Sequence, residues 1–130
     1  MKISVCLIVK NEEKVVERCL RSVTPFADEI IVADTGSDDK TKDIANKFTD
    51  KIYDFEWVYD FSAARNYAFS KAASEYIFWL DADDVIRDED AAKINELKKE
   101  KTRADTYMFK YIAGIDSDGR PAFTYYRERL

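Results

Sequence analysis

Apolar runs punctuate the first part of the chain, and each ends on charged or hydroxylated residues. Ile3-Ser4-Val5-Cys6-Leu7-Ile8-Val9 is almost unbroken in hydrophobicity and rich in β-branched side chains. That is the pattern of a strand buried on both faces. Glu29-Ile30-Ile31-Val32-Ala33 repeats it, residues 51–55 form a shorter version, and Tyr76-Ile77-Phe78-Trp79-Leu80 closes the series. Between these runs the period lengthens. Val15, Val16, Cys19, Leu20 and Val23 fall at helical spacing over residues 12–23, and Pro25 stops that helix. Residues 40–48 predict a helix with Ile44, Ala45 and Phe48 inward, with Ser37 or Asp38 as its N-cap. Residues 61–73 predict another, with Phe61, Ala64, Ala68 and Ala72 as a small-residue face. Strand alternating with helix predicts an α/β fold with a mostly parallel central sheet and right-handed crossovers.

The remainder has a different texture. Residues 88–101 predict a polar helix with Ala91, Ile94 and Leu97 on one stripe. Residues 106–112 and 121–129 read as strands around the turn Asp116-Ser117-Asp118-Gly119, so the C-terminal strands are expected to be antiparallel. An exposed edge strand there offers a pairing surface for a second copy, that is, a homodimer.

Candidate chemistry sits where the apolar runs end. Leu80 leads into Asp81-Ala82-Asp83-Asp84, an acidic cluster at the carboxyl end of a buried strand, where open α/β sheets place ligands. Two aspartates one residue apart can face one cation, and their hard oxygens suit Mg²⁺ or Mn²⁺. A strand end followed by an acidic helix N-terminus is the plainer explanation. Asp34 directly follows the second strand, placed either to accept from a base N–H or ribose hydroxyl or to satisfy its own turn. Arg65 lies in the first turns of a helix, in reach of a phosphate or of a carboxylate such as Asp34, or simply of solvent. Lys10 and Glu12 flank the first strand end and alone read as ordinary surface. Phe55, Trp57, Tyr59 and Phe61 alternate, suggesting an aromatic wall beside the crevice, with at least half of them serving as core.

Composition narrows the classes. With 130 residues, 46% hydrophobic and 14% aromatic, the chain has enough for one folded domain and is not disordered. A net charge of -5, from 26 acidic and 21 basic residues, gives no reason to expect nucleic acid or an anionic membrane as the main partner. No apolar run approaches the roughly 18 residues of a membrane span. The N-terminus lacks the shape of a signal peptide, and Cys6 and Cys19 make no metal-type spacing. A cytoplasmic protein with free thiols is expected. With no histidine, zinc-hydrolase chemistry on His ligands and any Ser-His or Cys-His nucleophile are excluded.

Four ordered blocks carry a resemblance. They are residues 4–13 (Ser4 through Glu13), residues 29–41 (Glu29 through Thr41), Asp60-Phe61-Ser62-Ala63-Ala64-Arg65-Asn66 and Leu80-Asp81-Ala82-Asp83-Asp84. In order and separation they resemble the inverting family 2 glycosyltransferases with the GT-A fold, well over residues 3–90 and loosely beyond. The resemblance implies a Rossmann-like three-layer sandwich, a nucleotide-diphosphate-sugar donor (a UDP-sugar by default) and a divalent metal, Mn²⁺ or Mg²⁺. It implies that Asp34 contacts the base and that Ile8, Val9, Lys10 and Glu12 lie where the first loop packs on the nucleoside. By the same likeness Arg65 sits beside the nucleotide, Asp81 lies near the ribose, and Asp83 is on the metal of an Asp-x-Asp motif.

The chain departs from that pattern in three places. Ile8-Val9-Lys10 stands where Pro-Thr-Tyr is common, which removes the usual stacking tyrosine and leaves Lys10 for a phosphate. Thr35 replaces a second aspartate. The family's general base lies downstream of the Asp-x-Asp block and has no match before Leu130; Asp116 and Asp118 are better explained by a hairpin turn. Residues 1–100 are thus expected to form the nucleotide-sugar and metal half. Residues 101–130 would begin an acceptor-side half, incomplete here, whose acceptor is a glycan, a lipid carrier or a protein. Two other readings remain open. One is a non-catalytic nucleotide-sugar-binding module. The other is an aspartyl-phosphate phosphohydrolase with Asp81 as nucleophile, because Asp81-Ala82-Asp83-Asp84-Val85 fits that motif formally.

Overall fold

The computed structural model describes residues 1–101 and 104–130. Strands β1 (Ile3–Val9), β2 (Glu29–Asp34), β3 (Ile52–Asp54) and β4 (Tyr76–Trp79) form one sheet in the order β3-β2-β1-β4. Every pairing in it is parallel: Val5 lies opposite Ile30, Val32 opposite Ile52, and Val5 opposite Phe78 on its other side.

The two-residue period of the strands sorts side chains onto two faces. Ile3, Val5, Leu7 and Val9 of β1 join Ile30, Val32 and Phe78 in the larger core. Against them pack α1 (Val16–Val23), α2 (Thr41–Ala45) and α4 (Asp88–Leu97), through Cys19, Leu20, Ala45, Ala91 and Ile94. Cys6, Ile31 and Ala33 face the other way, onto α3 (Phe61–Ser70). The small Ala64 and Ala68 are its buried residues, and Cys6 Sγ comes 3.9 Å from the Ala68 carbonyl. Helices above and below one sheet make the expected three layers. Each fully buried aliphatic side chain contributes about 1.5–3 kcal/mol, so β1, with six of its seven residues buried, is the spine of the fold.

The C-terminal strands β5 (Met108–Ile115) and β6 (Pro121–Glu128) are antiparallel, as expected, but form their own two-stranded sheet. The turn is the one the sequence indicates. Gly119 has φ +78°, and Asp116 Oδ1 accepts from the Asp118 and Arg120 N–H groups at 2.9 Å each. The hairpin meets the body at few points: Phe109 packs edge-on to Phe78, with centroids 5.2 Å apart, and the Trp79 N–H donates to the Arg129 carbonyl at 3.0 Å.

Several elements are shorter than periodicity predicts. Helix α1 starts at Val16 rather than at residue 12, and α4 ends at Leu97 rather than at 101. Helix α2 starts at Thr41 with Lys40, rather than Ser37 or Asp38, at its N-cap position, and Asp39 accepts from the Thr41 N–H and hydroxyl. Among the described residues, no helix is long and apolar enough to cross a membrane.

Candidate functional site

The carboxyl ends of β2, β1 and β4 are neighbours in the sheet, so the loops that follow them share one edge. The first two loops are laced together. Asn11 takes a positive φ of 52°, a conformation asparagine tolerates, and its N–H donates to Ser37 Oγ at 2.9 Å. The Asp38 N–H donates back to Asn11 Oδ1 at 2.9 Å, and the Glu12 N–H donates to Thr41 Oγ1 at 2.8 Å. Glu13 closes the seam: its N–H donates to Asp39 and its carboxylate accepts from the Lys40 N–H. The Glu12 carbonyl accepts from the Val15 and Val16 N–H groups, so a turn leads into α1 from this seam.

Asp34 satisfies its own turn with one oxygen. Its Oδ1 accepts from the Gly36 and Ser37 N–H groups at 2.9 and 2.8 Å, a self-satisfied turn helped by Gly36 at φ +112°. Its Oδ2 is buried and, among the described residues, has no hydrogen-bond partner. An acceptor left this way costs about 1–3 kcal/mol until a donor reaches it.

Asp60 caps α3 by accepting from the Ser62 and Ala63 N–H groups. Arg65, one turn on, lays its guanidinium 4.1 Å from the Trp79 ring centroid and brings Nη2 within 3.6 Å of Asp81 Oδ1. Its carboxylate partner is therefore Asp81, not Asp34. At the end of β4 the chain turns on itself: the Asp84 N–H donates to the Asp81 carbonyl and the Asp81 N–H donates to Asp84 Oδ2, both at 3.0 Å. Ala82 points inward, leaving Asp81 half-buried and Asp83 exposed on either side of it. Among the described residues, no hydrogen bond or ion pair engages the Asp83 carboxylate. The Glu12 carboxyl is held above its ordinary range by partial burial, then by Asp83 and Asp39 nearby. Negative charge is crowded at this edge.

Of the remaining first-loop residues, Lys10 is exposed and Ile8 is half-buried at the strand end. The Val9 side chain is in the core and its carbonyl accepts from Thr35, so it shapes the site from beneath. The aromatic wall is partial. Phe55 stacks on Tyr67, but Tyr59, at 91% exposure and φ 57°, and Phe61 turn outward around Trp57. Phe61 thus leaves the inward face expected of it and packs edge-on against Trp57 instead. Both thiols are free and buried, and burial first of all pushes each up to about 12. Cys19 Sγ lies 3.5 Å from the Asp81 carbonyl, beneath the acidic turn.

Two residues of this edge, Tyr111 and Arg129, carry no local sequence signal. Asp84 is held by the Tyr111 hydroxyl at 2.7 Å and by Arg129 at 3.2 Å, and Arg129 is 4% exposed. Nothing in the spacing of residues 107–130 marks them for it.

Hard oxygens from Asp81 and Asp83 fit Mg²⁺ or Mn²⁺, which are commonly held by one or two carboxylates plus phosphate oxygens and water. Among the described residues, no set of three or more His, Cys, Asp or Glu side chains is gathered to enclose a metal. The fit is to a cation shared with a ligand rather than caged by protein.

The acidic turn after β4 and the buried Asp34 at the end of β2 thus lie on the same edge of one parallel α/β sheet, with the end of β1 between them. The chain matches the family model described as Glycosyl transferase family 2 over residues 4–122, and it belongs to that family. It is 40% identical over 125 residues to glycosyltransferase SunS of Bacillus subtilis strain 168, covering 90% of this chain and 30% of that one. Among solved structures it is similar to S. aureus TarS 1-349 in complex with UDP, at 28% identity and a TM-score of 0.54, covering 74% of this chain and 32% of that one. It also resembles Mycobacterium tuberculosis glucosyl-3-phosphoglycerate synthase in complex with Mg²⁺ and UDP. There the identity is 26%, the TM-score 0.52 and the coverage 62% and 33%. These neighbours bear out the GT-A-type α/β architecture. The chain spans from 21% to 43% of the length of curated relatives it matches.

Proposed function

We infer that this chain supplies the donor-binding part of a metal-dependent glycosyltransferase that takes a sugar from a nucleotide diphosphate, with inversion. The observation that carries the reading is the placing of Asp81 and Asp83 on one turn after β4 and of Asp34, with a buried free oxygen, at the end of β2 on the same sheet edge. Asp34 Oδ2 is a free acceptor for the N–H of a base, and Oδ1, already bonded, holds the side chain still. Uridine is the favoured base, supported by the UDP bound in two similar structures. Lys10 and Arg65 supply positive charge at the diphosphate, and Ile8 with Val9 and Glu12 shapes the nucleoside floor. A bound Mn²⁺ or Mg²⁺ would act there as a Lewis acid for the charge left on the departing diphosphate. Asp83 is the carboxylate free to hold it, with Asp81 oriented by Arg65.

Inversion also needs a base to take the acceptor proton. Asp116 is engaged in the hairpin turn, so we assign that role to no residue of this chain. The hairpin begins the acceptor side, where a glycan, lipid carrier or protein hydroxyl would enter.

Calorimetric titration of UDP and GDP, with and without Mn²⁺, tests the reading. Metal-dependent UDP binding is expected. Asp83→Ala should abolish the Mn²⁺ enhancement and leave the melting temperature unchanged, because the side chain is exposed and unpartnered. Asp34→Ala should weaken UDP binding even without metal. Unchanged Mn²⁺-dependent affinity in Asp83→Ala would sink the metal assignment, and an Asp34→Ala effect seen only with Mn²⁺ would sink the base contact.

A further inference from the structure

Asp84 is the acid of the turn that the donor-site reading leaves unused. Its side chain is 11% exposed and saturated by donors from separate segments. Oδ2 accepts the Asp81 N–H at 3.0 Å and Arg129 Nη2 at 3.2 Å, while Oδ1 accepts the Tyr111 hydroxyl at 2.7 Å. Arg129 is fixed in turn. Its Nη1 donates to the Trp79 carbonyl at 3.1 Å, its own carbonyl accepts from the Trp79 N–H, and its guanidinium lies 4.0 Å from the Trp79 ring centroid. Arg65 stacks on the same ring and reaches Asp81. Trp79 therefore joins two cations, one leading to each end of the acidic turn.

A buried Arg–carboxylate pair is a poor source of net stability, since desolvation offsets its attraction and apolar residues would serve as well. What this pair does provide is geometry. Asp84 bonded to the Asp81 N–H holds the turn that sends Ala82 inward and Asp81 and Asp83 outward. Partners behind a metal ligand commonly fix its orientation. We propose that Asp84, Tyr111 and Arg129 are positioning residues through which the β5–β6 hairpin sets the Asp81–Asp83 pair for a divalent cation, although the hairpin supplies no ligand to it. The proposal rests on the reading of Asp81 and Asp83 as the cation-facing pair.

Tyr111→Phe is the test variant, because it removes one hydroxyl and keeps the ring against Tyr125, 5.1 Å away. Arg129→Lys keeps the charge and loses the fork. Mn²⁺ uptake in the presence of UDP is followed by electron paramagnetic resonance, and exchange of the Asp81 amide hydrogen by NMR. Both variants are expected to bind Mn²⁺ about 10-fold more weakly, the low end for loss of such a partner. The Asp81 amide should exchange faster in both, and metal-free UDP affinity should match wild type. If Arg129→Lys does not fold, Tyr111→Phe decides alone. Wild-type Mn²⁺ affinity and wild-type Asp81 exchange in Tyr111→Phe overturn the clamp while the donor site stands. A wild-type chain that takes up no Mn²⁺ with UDP overturns the donor-site reading, and the cation role of the clamp with it.

Discussion

The parallel sheet and the hairpin are both built from strand-forming sequence, yet they bury it very differently. In β1 only Ile8 escapes full burial, because helices cover both faces of the sheet. In β6 the first four residues are exposed, and Met108, Ile115, Phe123 and Tyr126 all present large apolar surface to solvent. The hairpin is held by its root, where Phe109, Arg129 and Leu130 meet β4, rather than by its faces. One region supplies the rigid edge on which candidate ligands sit. The other reaches that edge through a handful of directed contacts. Burial makes a strand a scaffold, and a few hydrogen bonds suffice to make one a lever.

Phe78 belongs to both regions, packing against Phe26 at 5.3 Å and Phe109 at 5.2 Å between centroids. Phe78→Ala should cost about 3–5 kcal/mol in urea denaturation. A midpoint near wild type would break the claim that one core ties hairpin to sheet. A smaller effect comes from acid, and it belongs to the sheet. Burial alone would raise the Asp28 carboxyl. Hydrogen bonds from Lys98, the Ile3 N–H and Lys2 overcome this and leave it at about 2. A depressed carboxylate stabilises the fold above its unfolded pKa near 3.8 and loses that contribution as pH falls towards 2. The melting temperature should therefore drop across this window in wild type and drop less in Asp28→Asn. Parallel profiles for the two proteins would show that the N-terminal edge of the sheet is not pinned there. The smallest effect is expected at the hairpin tip. Phe123→Ala, at a residue 62% exposed, should change stability by no more than about 0.5 kcal/mol. A loss as large as that of Phe78→Ala would mean that the tip packs on something in solution.

The parallel half was legible because its information is local. Unbroken apolar runs named the strands, Ala64 and Ala68 named the close face of α3, and Asp34 and Asp81 stood where strands must end. What local pattern could not carry was competition and distance. The helix expected from residue 12 starts at Val16, and residues 12–13 instead bond across to Thr41 and Asp39 of another loop, partners that no local pattern marks. Arg65 was within reach of a phosphate, of a carboxylate such as Asp34 or of solvent, and it lies instead over the Trp79 ring beside Asp81. Arg129 meets Asp84 across 45 positions, a contact that no periodicity encodes.

The strand order has a consequence for how the site comes into being. Strands β1, β2 and β3 are added one beside the next, whereas β4 returns to the far side of β1, pairing Tyr76 with Ile3. Closing so long a stretch of chain is entropically slow compared with joining adjacent segments. During synthesis, at about 5–20 residues per second, the segment that forms the Asp34 pocket is made before Asp81 exists. Pulse-labelled hydrogen exchange during refolding should find β2 amides protected before those of β4; simultaneous protection would refute this order. On the proposed reading of the site, the side that would face a base assembles first and the side that would face a cation arrives last.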